Sequence, residues 1–134
     1  LIVGLDTSVV VRVLSGEPED LALEAGRYLL DRQRADDTAL VSDLVLAEAY
    51  YALQHHYRIP KGAALDALRT FLATPFVEGT GEAATILGAP ELESANPGFL
   101  DRVIHRHYLD QGADELVTFE KAAAKLPQVR VLTA

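Results

Sequence analysis

The feature that most constrains this chain is the alternation of short, unbroken apolar runs with longer stretches of helical periodicity. Leu1-Ile2-Val3-Gly4-Leu5 contains no polar interruption and stops at Asp6. Such a run reads as a strand covered on both faces in a parallel sheet. A short helix over Thr7–Leu14 follows, stopped by Ser15-Gly16, and Glu17–Arg34 carries Leu21, Ala25, Tyr28 and Leu29 at helical spacing, with Pro18 in its first turn. Thr38–Val41 is a second strand, and Ser42 or Asp43 caps a helix from Leu44 to about Arg58. Pro60 starts a helix reaching Phe71, and Phe76-Val77 is a third strand. Gly81–Ala95 is helical in part, interrupted by Gly88 and Pro90, and Asn96-Pro97-Gly98 is a loop. A helix over Phe99–Gln111 ends at Gly112. Leu116–Phe119 and Val129–Leu132 are the last strands, with a short helix over Lys121–Leu126 between them. Strands alternating with helices predict an α/β fold on a parallel sheet. With 134 residues, and no linker, repeat or low-complexity tract, the expectation is one domain spanning residues 1–134.

The absence of cysteine excludes disulfides, zinc-thiolate sites and cysteine nucleophiles, and suits a reducing, cytoplasmic setting. No apolar run approaches the roughly 20 residues of a membrane helix, and no signal-peptide pattern opens the sequence, so no membrane partner is expected. The net charge of −8 argues against coating nucleic acid by bulk charge. It leaves room for carboxylates gathered around a divalent metal, whose own charge inverts the local field.

Ligands of open parallel sheets bind at the carboxyl ends of strands. Asp6 and Glu120 fall directly after two such strands. Each has an ordinary structural reading, Asp6 as a helix cap and Glu120 as a first-turn acid. Glu48 lies among Leu44, Val45, Tyr51 and Ala52, a stripe otherwise apolar, where a carboxylate needs a proton, a hydrogen bond or a cation, unless the position is a solvated edge. Asp101 opens a helix amid Phe99, Leu100, Val103 and Ile104, with the alternative of serving the helix dipole. Four carboxylates without cysteine or a His pair at ligand spacing point to a hard cation, Mg²⁺ or Mn²⁺, of the kind that activates water against a phosphodiester. His55-His56 and His105-x-His107 lack the i, i+4 spacing of a shared helical face, but His105 lies one turn after Asp101. Arg102, Arg106, Lys121 and Lys125 are either a local basic rim or separate solvated charges. No glycine-rich phosphate loop and no Gly-x-Ser-x-Gly elbow is present.

Leu5-Asp6-Thr7-Ser8-Val9-Val10-Val11-Arg12, Leu44-Val45-Leu46-Ala47-Glu48, Phe99-Leu100-Asp101 and Leu116-Val117-Thr118-Phe119-Glu120-Lys121, followed by Ala124-Lys125-Leu126-Pro127, occur in a recognisable order. Together they resemble the PIN domain, and within it the VapC-like toxin ribonucleases of prokaryotic toxin–antitoxin pairs. The match covers residues 1–58 and 96–132. The resemblance implies an α/β/α sandwich with a parallel five-stranded sheet, and metal-binding, catalytic acids at Asp6, Glu48, Asp101 and Glu120. This chain has Glu120 where the family usually has aspartate, and Ser8 where it often has asparagine. Thr7, Ser8 and Thr118 are expected as supporting groups that orient water or phosphate, and Arg12, Arg102 and His105 as substrate contacts. The implied activity is Mg²⁺- or Mn²⁺-dependent hydrolysis of RNA, with a homodimer and a cognate antitoxin as partners. The antitoxin surface is expected around Val9–Leu14 and Tyr50–Tyr57.

Three other readings share these features. A PIN-like module without catalysis binds RNA or a partner protein, supported by the departures at Ser8 and Glu120. A receiver-like phospho-signalling domain uses strand-end acids with Thr118 and Lys121, but expects two adjacent acids where Asp6-Thr7-Ser8 has one. A haloacid-type phosphatase needs an acid at Ser8.

Overall fold

The computed structural model describes residues 1–89, 92 and 96–133. They form two compact units, residues 1–84 and 85–134. In the first, β1 (Ile2–Gly4) leads into α1 (Thr7–Ser15) and α2 (Glu19–Arg34), then β2 (Thr38–Val41), α3 (Asp43–His55), α4 (Lys61–Leu72) and β3 (Val77–Gly79). The three strands are parallel in the order β1-β2-β3, with Val3 opposite Ala39 and Ala39 opposite Val77. Each strand is separated from the next by two helices, which is the length of connection a parallel pair requires. A short α5 (Ala83–Leu87) carries the division between the units. The second unit holds α6 (Phe99–Asp110), β4 (Leu116–Thr118), a 3₁₀ turn over Lys121–Lys125 and β5 (Val129–Val131). Its strands are also parallel, with Val117 opposite Arg130.

The predicted alternation of strands and helices is therefore present, but the hydrogen bonding joins three strands and two strands, not a single ladder of five. Among the described residues β1 is hydrogen-bonded to β2, and its first residue, Ile2, is 73% exposed, so the apolar run is not buried along its whole length. An apolar run signals a strand, but its position in the sheet depends on partners far along the chain. Interior β2 does bury Ala39 and Val41.

The first unit's core forms where α1, α3 and α4 pack together, around Val10, Leu46, Ala49, Leu53, Leu65 and Leu68. Val10, Val11, Tyr50 and Leu53 are thus core residues, which removes part of the expected partner surface at Val9–Leu14 and Tyr50–Tyr57. α2 starts at Glu19 rather than Glu17, because the preceding chain is committed to a turn: Gly16 adopts φ 72° and the Glu17 N–H donates to Ser15 Oγ at 3.2 Å. Gly16 and Gly112 end α1 and α6 in the left-handed region that glycine enters without steric cost. In the second unit Phe99, Val103 and Ala123 are buried. Of the stretch expected to be partly helical, α5 ends at Leu87, and Pro90, Glu91 and 93–95 lie outside the described residues.

Ser42, not Asp43, caps α3, its Oγ accepting from the Val45 N–H at 3.2 Å. The Asp43 carboxylate instead crosses to the turn before α5, where its two oxygens accept from the Glu82 and Ala83 N–H groups, each at 3.0 Å. Gly81 is obligatory beside it, since a Cβ there would overlap the carboxylate. Asp43→Ala is expected to cost about 1–3 kcal/mol, because two part-buried amide donors lose a charged acceptor. Urea denaturation would measure the loss, and an unchanged midpoint would refute this account of Asp43.

Candidate active site

Asp6 occupies the N-cap position of α1, just beyond the carboxyl end of β1. Its side chain makes no capping hydrogen bond to the helix, and it is solvent-exposed. Oδ2 accepts instead from the Ser8 hydroxyl at 2.9 Å. That hydrogen bond is the main reason the Asp6 carboxyl is held below its ordinary value of 3.8; the Thr7 and Ser8 amide N–H groups act in the same sense, against a small opposing effect of burial. Asp6 therefore remains an anion well into acid. Any stability it lends is present above 3.8 and is lost as pH falls through the lower folded value. Ser8→Ala is expected to raise the Asp6 pKa toward 3.8, read by NMR titration of the side-chain carboxyl carbon. An unmoved midpoint would exclude the hydroxyl as the cause. Arg12, one turn further, donates to the Ser8 carbonyl at 3.2 Å.

Glu48 stands on α3 in a shallow cleft of about 410 Å³ that also includes Thr7, Ala47, Tyr51 and Ala52. α3 buries Leu46, Ala49, Tyr50 and Leu53, so the stripe carrying Glu48 faces outward. Leu44 is 70% and Tyr51 60% exposed, and Glu48 is exposed between them. Of the two readings of Glu48, the solvated edge position is the one found: water solvates its carboxylate, and burial places no demand on it. Packing of α1 on α3 brings Thr7 and Glu48 to one cleft.

In the second unit, Asp101 is half-buried in the first turn of α6. Glu120 is exposed at the start of the 3₁₀ turn, where its N–H donates to Thr118 Oγ1 at 3.0 Å. The Thr118 hydroxyl thus fixes the backbone that carries Glu120. Arg102 Nε donates to the Pro97 carbonyl at 2.9 Å. His105 is 7% exposed and its Nε2 lies 2.7 Å from the Pro127 carbonyl, tying α6 to the segment that enters β5. A carbonyl only accepts, so this nitrogen carries the proton.

The side chains of Glu48, Asp101 and Glu120 make no hydrogen bond or ion pair among the described residues. These acids and Asp6 are oxygen donors of the type Mg²⁺ and Mn²⁺ take. Within neither unit, among the described residues, do three His, Asp or Glu side chains gather at metal-holding distance. Asp6 and Glu48 belong to the first unit, Asp101 and Glu120 to the second. Asp43 is an acid whose structural use sequence reasoning missed; the Thr80-Gly81 turn was its one local signal, because a glycine is needed where a side chain closes in.

A family model described as PIN domain matches residues 3–129. The crystal structure of VapBC2 from Rickettsia felis bound to a DNA fragment from their promoter is similar over 98% of this chain and 98% of that chain, at 21% identity and a TM-score of 0.42. No curated protein matches. Among the described residues no helix is long and apolar enough to cross a membrane.

Proposed function

The chain belongs to the PIN domain family, and from that premise we propose that it is a divalent-metal-dependent ribonuclease, the toxin of a type II toxin–antitoxin pair. PIN domains are generally nucleases, and they typically use divalent metal ions. The observation that carries the reading is that three of the four acids have no side-chain partner among the described residues and that the fourth, Asp6, is bonded only to its own neighbours Thr7 and Ser8. Asp6 is exposed and ionised beyond a strand end. Asp6, Glu48, Asp101 and Glu120 would hold Mg²⁺ or Mn²⁺. The ion supplies a Lewis acid that neutralises phosphate charge and makes water nucleophilic. Ser8 keeps Asp6 charged and oriented, and Thr118 sets the backbone from which Glu120 extends. Glu120 is one methylene longer than aspartate and still offers two carboxylate oxygens. The same reading carries one PIN domain across residues 1–134 with a five-stranded sheet, a homodimer, an antitoxin partner and a cytoplasmic location.

The test is incubation of total RNA with the purified protein in Mn²⁺ or Mg²⁺, with EDTA as control. Discrete metal-dependent cleavage is expected. No cleavage, together with no divalent binding by calorimetry, would overturn the reading in favour of a non-catalytic PIN-like module.

A further inference from the structure

Arg102 and His105, which the resemblance marks as substrate contacts, share a cleft of the second unit with Arg106, a residue given no role above. The residues Arg102, His105, Arg106 and Leu109 fall at i, i+3, i+4 and i+7 on α6, a single helical stripe. That stripe forms one wall of a cleft of about 320 Å³, and Ile86, Leu126 and Pro127 form the others. The volume lies at the lower end of ligand sites, and the composition is of the same kind, apolar walls with a few convergent polar groups. Arg102 is already oriented by its bond to Pro97, and Arg106 is exposed with no ion pair among the described residues. Because His105 Nε2 donates to Pro127, Nδ1 is the ring's remaining polar atom, a bare acceptor in the neutral form.

We propose that this cleft is a nucleotide subsite for the RNA strand, with Arg102 and Arg106 on a phosphate and the base against Ile86, Leu109, Leu126 and Pro127. The two arginines match an anion in charge and in fork geometry. A flat base fills an apolar slot that a hydrated ion would leave empty. Asp101 stands one turn before His105 on the same helix, so the subsite adjoins an acid assigned to cleavage. The proposal rests on the ribonuclease reading and adds a specificity element to it.

The experiment is fluorescence-anisotropy binding of a labelled, 5′-phosphorylated mixed RNA tetranucleotide to the full chain in EDTA, where no cleavage occurs. Arg106→Glu is expected to weaken binding at least 10-fold, and Lys61→Glu, the same charge change in the other unit, less than 3-fold. A mixture of 5′-mononucleotides should displace the probe and shift amide resonances of residues 99–110 and 121–127. Equal losses in the two variants would overturn the subsite, because bulk charge would then account for binding. Shifts of those amides by a synthetic acidic, leucine-containing peptide but not by nucleotides would overturn it in favour of a protein partner. Metal-dependent cleavage of total RNA with Arg106-independent binding removes the subsite and keeps the ribonuclease. Arg106-dependent binding without cleavage in any metal does the reverse.

Discussion

Asp6→Asn is expected to reduce metal-dependent RNA cleavage by more than about 100-fold while leaving the thermal midpoint unchanged. The two effects separate because asparagine is as good an N-cap residue as aspartate. Asparagine, moreover, keeps a side-chain oxygen that can still accept from the Ser8 hydroxyl and the first-turn amides. What the substitution removes is a charge that the Ser8 hydroxyl holds ionised. Loss of an outer partner of a metal ligand typically costs about 10–100-fold, and loss of a ligand itself costs more. Asp101→Asn is expected to behave in the same way, since the Asp101 side chain carries no hydrogen bond among the described residues that could be lost. Calorimetric titration with Mn²⁺ alongside the cleavage assay checks the cause. Unchanged cleavage by both variants would remove these residues from the chemistry.

Leu46→Ala should have the largest effect on stability, a loss of about 2–5 kcal/mol. Leu46 is fully buried on α3 in the first unit's core, and truncation leaves a cavity that its neighbours fill only in part. At roughly 3–5 °C per kcal/mol for a chain of this size, the thermal midpoint should fall by about 6–25 °C. Leu44→Ala, two residues away and largely exposed, should change stability by no more than about 0.5 kcal/mol. Calorimetric melting of the two variants distinguishes them. Similar melting would contradict the outward orientation of the stripe that presents Glu48.

The element order was legible because each element is specified by neighbours in the chain. Gly16 and Gly112 end helices wherever those helices pack, and Ser42 caps α3 through an amide three residues on. The position of Asp6 beyond a strand and before a helix was legible for the same reason. Glu48 was located correctly on its helix, but the argument for it was not sound. Apolar periodicity around Glu48 could not distinguish an inward stripe from an outward one, because Leu46, Ala49, Tyr50 and Leu53 offered a second apolar face. Packing against α1 and α4 chose between them.

By itself the sequence determined the alternation of strands and helices, the acids at strand ends and the absence of thiol chemistry. The motifs that it carries correspond to the family whose model spans residues 3–129. Only the tertiary structure decided that Ile2 of β1 is exposed and that the described strands pair as three and two. It also decided that Asp43 serves a turn 39 residues away, and that Arg102 and Arg106 share a cleft with Pro127. The physical reason is common to all of these. Dihedral preference, capping and hydrophobic period act over a few residues, whereas exposure, strand partners and cleft walls are set by segments that meet only in the folded chain.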